Sequence, residues 1–278
     1  MAKPARLSPI KSLRKRLGLS QAELAEAIEV AASALSKWEL TLDDVPHDQL
    51  RDLAVVLGFP IEAVKGEVEA RTADSGDAPF GTLRIEVPGH FLQYPIDRQS
   101  FESITSQLAR FDIQDDLIEG AWITSGTLDN KLLFLNPDFI DQIELVCDDA
   151  VEMPMFEHPE VYKVLADWDL GDKPTFGPVL ARAVQAVVGA EDAQLSIKAA
   201  QEARVIMGSG KETWHDVMEE QATDYCILEL EASNGIAPNR LLKVRSEGRE
   251  VVGFVNLSKV AAIEVPLTRY LESLNVGA

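Results

Sequence analysis

The sequence predicts a small all-α domain at the N-terminus, then a linker, then an α+β domain with antiparallel sheets. Three observations carry that expectation. Apolar residues recur at helical spacing through residues 8–65. The stretch Thr72-Ala73-Asp74-Ser75-Gly76-Asp77-Ala78-Pro79 is small, polar and aperiodic, as a flexible linker is. Beyond it the period drops to two, as in Thr82-Leu83-Arg84-Ile85-Glu86-Val87. The domains are therefore expected at 1–65 and 80–278, with the linker at 66–79. An apolar content of 46% beside 26% charged residues excludes a wholly disordered chain.

In the first domain, Ser8-Pro9 opens a helix carrying Ile10, Leu13 and Leu17, and Gly18 stops it. Ser20-Gln21-Ala22-Glu23 is a capping box ahead of the apolar stripe Leu24, Ala25 and Ile28. A short third helix holds Leu35 and Trp38. A fourth runs from about Pro46 through Leu50, Leu53, Ala54 and Leu57 to Gly58, and Pro60 begins a fifth. In the second domain strands are expected at 82–87, 119–125, 131–135, 139–146, 226–231, 240–246 and 250–257. Helices are expected near 97–110, 158–168, 176–205 and 267–274.

The second domain carries signs of an internal duplication. Residues 135–146 match residues 255–266, with Asn136 and Asn256, Ile143 and Ile263, and Glu144 and Glu264 identical. A second, shorter match relates Asn130-Lys131-Leu132-Leu133 to Asn239-Arg240-Leu241-Leu242. Two related sheet units would suit a module that dimerises or holds a ligand.

Charge is unevenly spread. The chain has 26 basic and 46 acidic residues, a net −20, which argues against non-specific adhesion to nucleic acid. Residues 1–65 nevertheless carry nine of each sign, whereas residues 79–278 carry 16 basic against 33 acidic. Lys3, Arg6, Lys11, Arg14, Lys15 and Arg16 all precede the first acid, Glu23, so a polyanion would meet the N-terminal end. No apolar run approaches the roughly eighteen residues of a membrane span, and no secretory signal opens the chain. Cys147 and Cys226 are too few for a disulfide framework or zinc site and are expected as buried small hydrophobes at strand edges in a reducing cytoplasm.

The second and third helices are joined by three or four residues, too few for an antiparallel hairpin. Two helices crossing steeply over such a turn, backed by another helix, make a helix-turn-helix whose second helix can enter the major groove. The residues carry a resemblance too. Leu19-Ser20-Gln21-Ala22-Glu23-Leu24-Ala25-Glu26-Ala27-Ile28, then Val30, then Leu35-Ser36-Lys37-Trp38-Glu39, with Leu50, Leu53-Ala54 and Leu57-Gly58-Phe59-Pro60 downstream, is similar to the Xre/Cro-type repressor family over residues 8–65. The resemblance implies Gln21 at the phosphate-facing start of the second helix. It puts Ala31, Ala32, Ser33 and Lys37 on the groove-facing side of the third, and Leu24, Ala25, Val30, Leu35 and Trp38 in the core. Ser36 joins the direct readout, and Arg14 and Lys15 of the basic N-terminal segment supply phosphate contacts. Two features depart from the family. Glu29 stands where the turn usually has glycine, and the groove-facing residues are mostly alanine, which can touch a thymine methyl but makes no bidentate hydrogen bond.

Other chemistry is sparse. On a helix, Glu212, His215, Asp216 and Glu219 would share one face, but a single Glu-x-x-His pair is half of what a di-metal bundle needs, so a solvated acidic face is expected. Asp112, Asp115, Asp116 and Glu119 read as a surface loop. No zincin helix, P-loop, nucleophile elbow, dinucleotide fingerprint or serine–lysine protease arrangement occurs. The expected function is a cytoplasmic DNA-binding regulator, a repressor acting as a homodimer on a double-stranded operator. No cofactor, metal or membrane partner is expected, and a small-molecule or protein effector would act on the C-terminal domain. The competing reading is an adaptor or antitoxin-like protein whose C-terminal domain holds a partner protein.

Overall fold

The computed structural model describes residues 8–67, 79–111, 121–147, 153–168, 176–217, 219–246 and 251–275. Lys3 and Arg6, linker residues 68–78, the acidic run from Asp112 to Glu119 and the side chain of Glu219 lie outside the described residues. In chain order the helices are α1 (Ile10–Arg16), α2 (Gln21–Ala27), α3 (Ala32–Trp38), α4 (His47–Leu57), α5 (Ile61–Val64), α6 (Arg98–Leu108), α7 (Pro159–Ala166), α8 (Pro178–Val188), α9 (Ala193–Gln201), α10 (Glu219–Ser233) and α11 (Leu267–Asn275). The strands are β1 (Pro79–Val87), β2 (His90–Asp97), β3 (Ile123–Gly126), β4 (Lys131–Leu135), β5 (Gln142–Cys147), β6 (Glu202–Met207), β7 (Glu212–Asp216), β8 (Leu241–Ser246), β9 (Val251–Asn256) and β10 (Val260–Pro266).

The chain divides into two compact units, Met1–Thr72 with His158–Ile197, and Ala73–Glu157 with Lys198–Ala278. The first is helical. Ile10, Leu13, Leu24, Ile28, Leu35, Leu53 and Val64 form its closed core, where the periodic stripes of α1–α5 converge. Residues 158–197, which the sequence grouped with 80–278, belong here instead. A local stripe does not say whether a helix will cover a sheet or other helices; long-range polar contacts decide it. Arg51 on α4 donates its Nε to Glu160 Oε2 on α7 at 2.6 Å, both side chains being buried. Asp52 is fully buried and caps α8, accepting from the backbone amides of Leu180 (2.9 Å) and Val179 (3.3 Å). A Cβ on Gly177 would fall 2.0 Å from Asp52 Oδ2, so only glycine fits ahead of Pro178.

The second unit is a repeat in the order of its elements. Strands β1 and β2, helix α6, the β3–β4 hairpin and β5 are followed, after α7–α9, by β6 and β7, α10, the β8–β9 hairpin and β10. The sheets run β2-β1-β5, β3-β4-β10-β6-β7 and β8-β9, all antiparallel. The register repeats as well. Ile85 lies opposite Ile143 and Arg84 opposite Glu144 in one half; Val205 lies opposite Ile263 and Arg204 opposite Glu264 in the other. Asn136 and Asn256 each accept from the amide two residues on (3.1 and 3.0 Å), capping identical 3-10 turns before β5 and β10. The 135–146/255–266 match is thus structural. The shorter match is not, because Lys131 opens β4 whereas Leu241 opens β8, the counterpart of β3.

Several expectations change. Residues 226–231 are helical within α10: Tyr225, Leu228 and Ala232 bury one helix face while Ile227 and Leu230 stay exposed, so their alternation with glutamates imitated a strand. The helix expected over 176–205 breaks at Gly189 into α8 and α9, and its end becomes β6. Strands β2, β6, β7 and β10 lie outside the expected strand ranges; β2 carries Pro95, and β7 is short and polar. Cys147 is exposed at the end of β5, which among the described residues has β1 alone as a neighbour, and Cys226 is half-buried on helix α10 instead of at a strand edge. Glu212, His215 and Asp216 lie on strand β7, where alternation sends Glu212 and His215 to opposite faces.

Candidate nucleic-acid interface

Helix α3 is two-faced. Leu35 and Trp38 are buried, while Ala31, Ala32, Ser33, Ser36 and Lys37 are all exposed. Four residues, Ile28 to Ala31, separate α3 from α2. The α2 start is fixed by its capping box: Glu23 N donates to Ser20 Oγ (3.2 Å) and Ser20 N to Glu23 Oε2 (2.6 Å). Hydrogen bonds from the Ser20 hydroxyl and then from its backbone amide hold the Glu23 carboxyl below its ordinary pKa, against a small opposing effect of burial.

Arg14 and Gln21, both expected as DNA contacts, bond the same carboxylate, that of Glu39. Arg14 is buried; its Nε and Nη2 donate to the two Glu39 oxygens (2.5 and 3.3 Å) and its Nη1 to the Leu19 carbonyl (2.6 Å). Gln21 Nε2 donates to Glu39 Oε2 (3.0 Å). This triad ties α1, the start of α2 and the end of α3 together. The Arg14 guanidinium is therefore structural, and the buried carboxylate that claims it could not have been inferred from the basic run alone. Lys15 is exposed, as are Lys11 and Arg16, whose guanidinium lies 5.8 Å from the Phe59 ring centre.

The turn confirms the cost of Glu29. Val30 N donates to Ala25 O (2.9 Å) and Glu29 N to Glu26 O (3.0 Å), a helix end that holds Glu29 at φ 57°. The equivalent positions after α1 and α4 are Gly18 (φ 70°) and Gly58 (φ 66°). Sequence reasoning missed the compensation: Arg182 on α8 pairs with the Glu29 carboxylate and offsets the charge at the turn. Their wide separation in sequence left no local signal.

No group of three His, Cys, Asp or Glu among the described residues could hold a metal ion, and no described helix is long and apolar enough to cross a membrane. The second unit has an open polar cleft of about 520 Å³, lined by Ser100, Ser103 and Gln107 of α6, by Arg110 just after it, and by Glu229 and Ser233 of α10. No curated protein and no solved structure matches the chain. Residues 10–64 match the helix-turn-helix family model. They form a helix-turn-helix domain of the Xre/Cro type, which supports a DNA-binding regulator.

Proposed function

We propose that the chain is an operator-binding transcriptional repressor of the cytoplasm, non-catalytic, acting as a homodimer that sets α3 of each copy in a major groove. The observation that carries this is the exposed strip Ala31, Ala32, Ser33, Ser36 and Lys37 on a helix whose opposite face is locked into the core. Lys15 supplies a phosphate contact, Ser33, Ser36 and Lys37 face the base edges, and the alanines offer room for thymine methyls. The polar cleft in the second unit, with hydroxyls, an amide, Arg110 and Glu229, supports a small polar effector there.

The test is a genome-wide footprint followed by titration of the recovered fragment. Lys37→Ala should weaken operator binding by about 1–3 kcal/mol and relax specificity, while Lys15→Ala should weaken binding across sequences and lower the salt slope by about one. A protein that yields no footprint and co-purifies in fixed ratio with another protein would overturn the proposal and favour the adaptor reading.

A further inference from the structure

The repeat exposes an asymmetry between its halves. In the first half, the β3–β4 hairpin is added to the other half's sheet: Phe134 lies opposite Ile263 and Leu132 opposite Val265 on β10. Both faces of that hairpin are covered; Trp122, Leu132 and Phe134 pack into one apolar core, and Ile123, Leu133 and Leu135 into the other. In the second half, the β8–β9 hairpin has Leu242, Val244 and Val255 in the first of those cores. Its other face is bare. Leu241, Val252 and Phe254, which occupy the places of Trp122, Leu132 and Phe134, are 59%, 47% and 63% exposed.

The strand that should receive this hairpin is bare too. β10, flanked by β4 and β6, has all seven residues buried. Among the described residues its counterpart β5 pairs with β1 alone, and none of its six residues is buried. Hydrogen-bond phase matches as well. Asn136 N donates to Ala261 O (2.9 Å) and Leu267 N to Asn130 O (2.9 Å), so Leu132 and Phe134 turn their amides toward β10. Leu257 N donates to Arg240 O (3.1 Å), which makes Gly253 and Val255 bond β8 and turns the amides of Val252 and Phe254 outward.

We propose that the β9 edge of one copy pairs with the β5 edge of a second copy, reciprocally, so that each hairpin completes the partner's three-stranded sheet to five strands. The occupant follows from the repeat. The arrangement that β4 makes on β10 would set Phe254 opposite Ile143 and Val252 opposite Leu145, apolar on apolar in both pairs. Each copy carries one donor hairpin and one acceptor edge, which is the self-complementarity that an isologous dimer needs. An uncovered strand edge beside exposed apolar residues is otherwise an aggregation hazard. This inference rests on the homodimer proposed above and names its surface.

Sedimentation of the full chain gives the first readout, with a two-chain mass expected. Phe254→Pro removes only an outward amide, which an edge strand tolerates, and Phe254→Asp places a charge on the bare face. Both should raise the dimer dissociation constant at least about tenfold while leaving the circular dichroism of the wild type. A one-chain wild type overturns both the dimer and this surface; a dimer that either folded variant leaves intact overturns the surface alone. The second readout keeps partner and self apart. With Cys147→Ser and Cys226→Ser as background, Gln142→Cys and Val255→Cys occupy the places of Ala262 and Leu135, a directly opposed pair. Oxidation should give covalent dimers. A link within one chain, showing that the hairpin closes on its own sheet, or no link at all, overturns the proposal.

Discussion

Arg14 and Lys15 are neighbours on α1 with opposite fates, and burial decides between them. Arg14 is held by Glu39 away from water, so Arg14→Ala leaves a buried carboxylate without its cation, which costs about 3–5 kcal/mol. Urea unfolding should show that loss, while Lys15→Ala, at an exposed site, should leave the midpoint within about 0.5 kcal/mol of wild type. Glu29 is the other residue whose chemistry conflicts with its place. Its left-handed backbone costs roughly 1–2 kcal/mol relative to glycine. The Arg182 pair that a substitution would remove is exposed on both sides and worth well under about 1 kcal/mol. Glu29→Gly should therefore stabilise the protein by about 1 kcal/mol and tighten operator binding by deleting a carboxylate near phosphate. A lower urea midpoint would contradict the strain argument.

Among elements, α7 and α8 depend on polar caps, α7 on its own His158 and α8 on Asp52 of α4. His158 accepts from Glu160 N through Nδ1 (3.2 Å) and donates from Nε2 to the Phe59 carbonyl (3.1 Å), a pattern that requires the neutral ring. Burial lowers the His158 pKa below the usual 6.5; Phe59, Glu160 and Glu62 oppose the shift, and Lys163 adds to it. A depressed folded pKa means stability that is present above about pH 6.5 and lost as pH falls through the folded value. The melting temperature should accordingly fall between pH 7 and pH 5. His158→Asn, which can still cap the helix, should flatten that dependence; an unchanged profile would remove His158 as its source. Asp52 behaves in the opposite sense, since burial raises its pKa and the amides of Leu180 and Val179 only partly offset this. Asp52→Ala removes the cap of α8 and should cost about 1–2 kcal/mol.

At the scale of the whole molecule, one small domain with an alanine-lined α3 offers few groups for base contacts, so the proposed operator binding would need two such domains on one site. In the proposed dimer, pairing through the second unit would convert the second docking into an intramolecular event worth roughly 10²–10⁴ in affinity. Monomerising the chain with Phe254→Pro should cost operator binding about that factor, although Phe254 lies far along the chain from α3. Equal affinity for the variant and the wild type, measured by titration on one fragment, would separate dimerisation from DNA binding.

The helix-turn-helix was legible in the sequence because its signals are local. A capping box, a stop glycine and an apolar stripe each act within a turn or two, so α1–α5 fall where Ser20, Gly18, Leu35, Leu53 and Gly58 place them. The exposed strip of α3 follows from that periodicity, and the Asn136–Asn256 match announced a repeat. What local sequence did not hold was every choice between partners far apart in the chain. That Arg14 serves Glu39, that Arg182 offsets Glu29, that residues 158–197 join the N-terminal helices and that 226–231 coil instead of pairing are set by burial and by long-range hydrogen bonds. The two copies of the repeat make the point most directly. Phe134 and Phe254 are the same residue at the same place in matching strands, and one is buried while the other is exposed. The sequence determined both as core-forming phenylalanines; only the tertiary structure decided which had a strand beside it, because burial depends on what a side chain faces across the sheet and not on its neighbours along the chain.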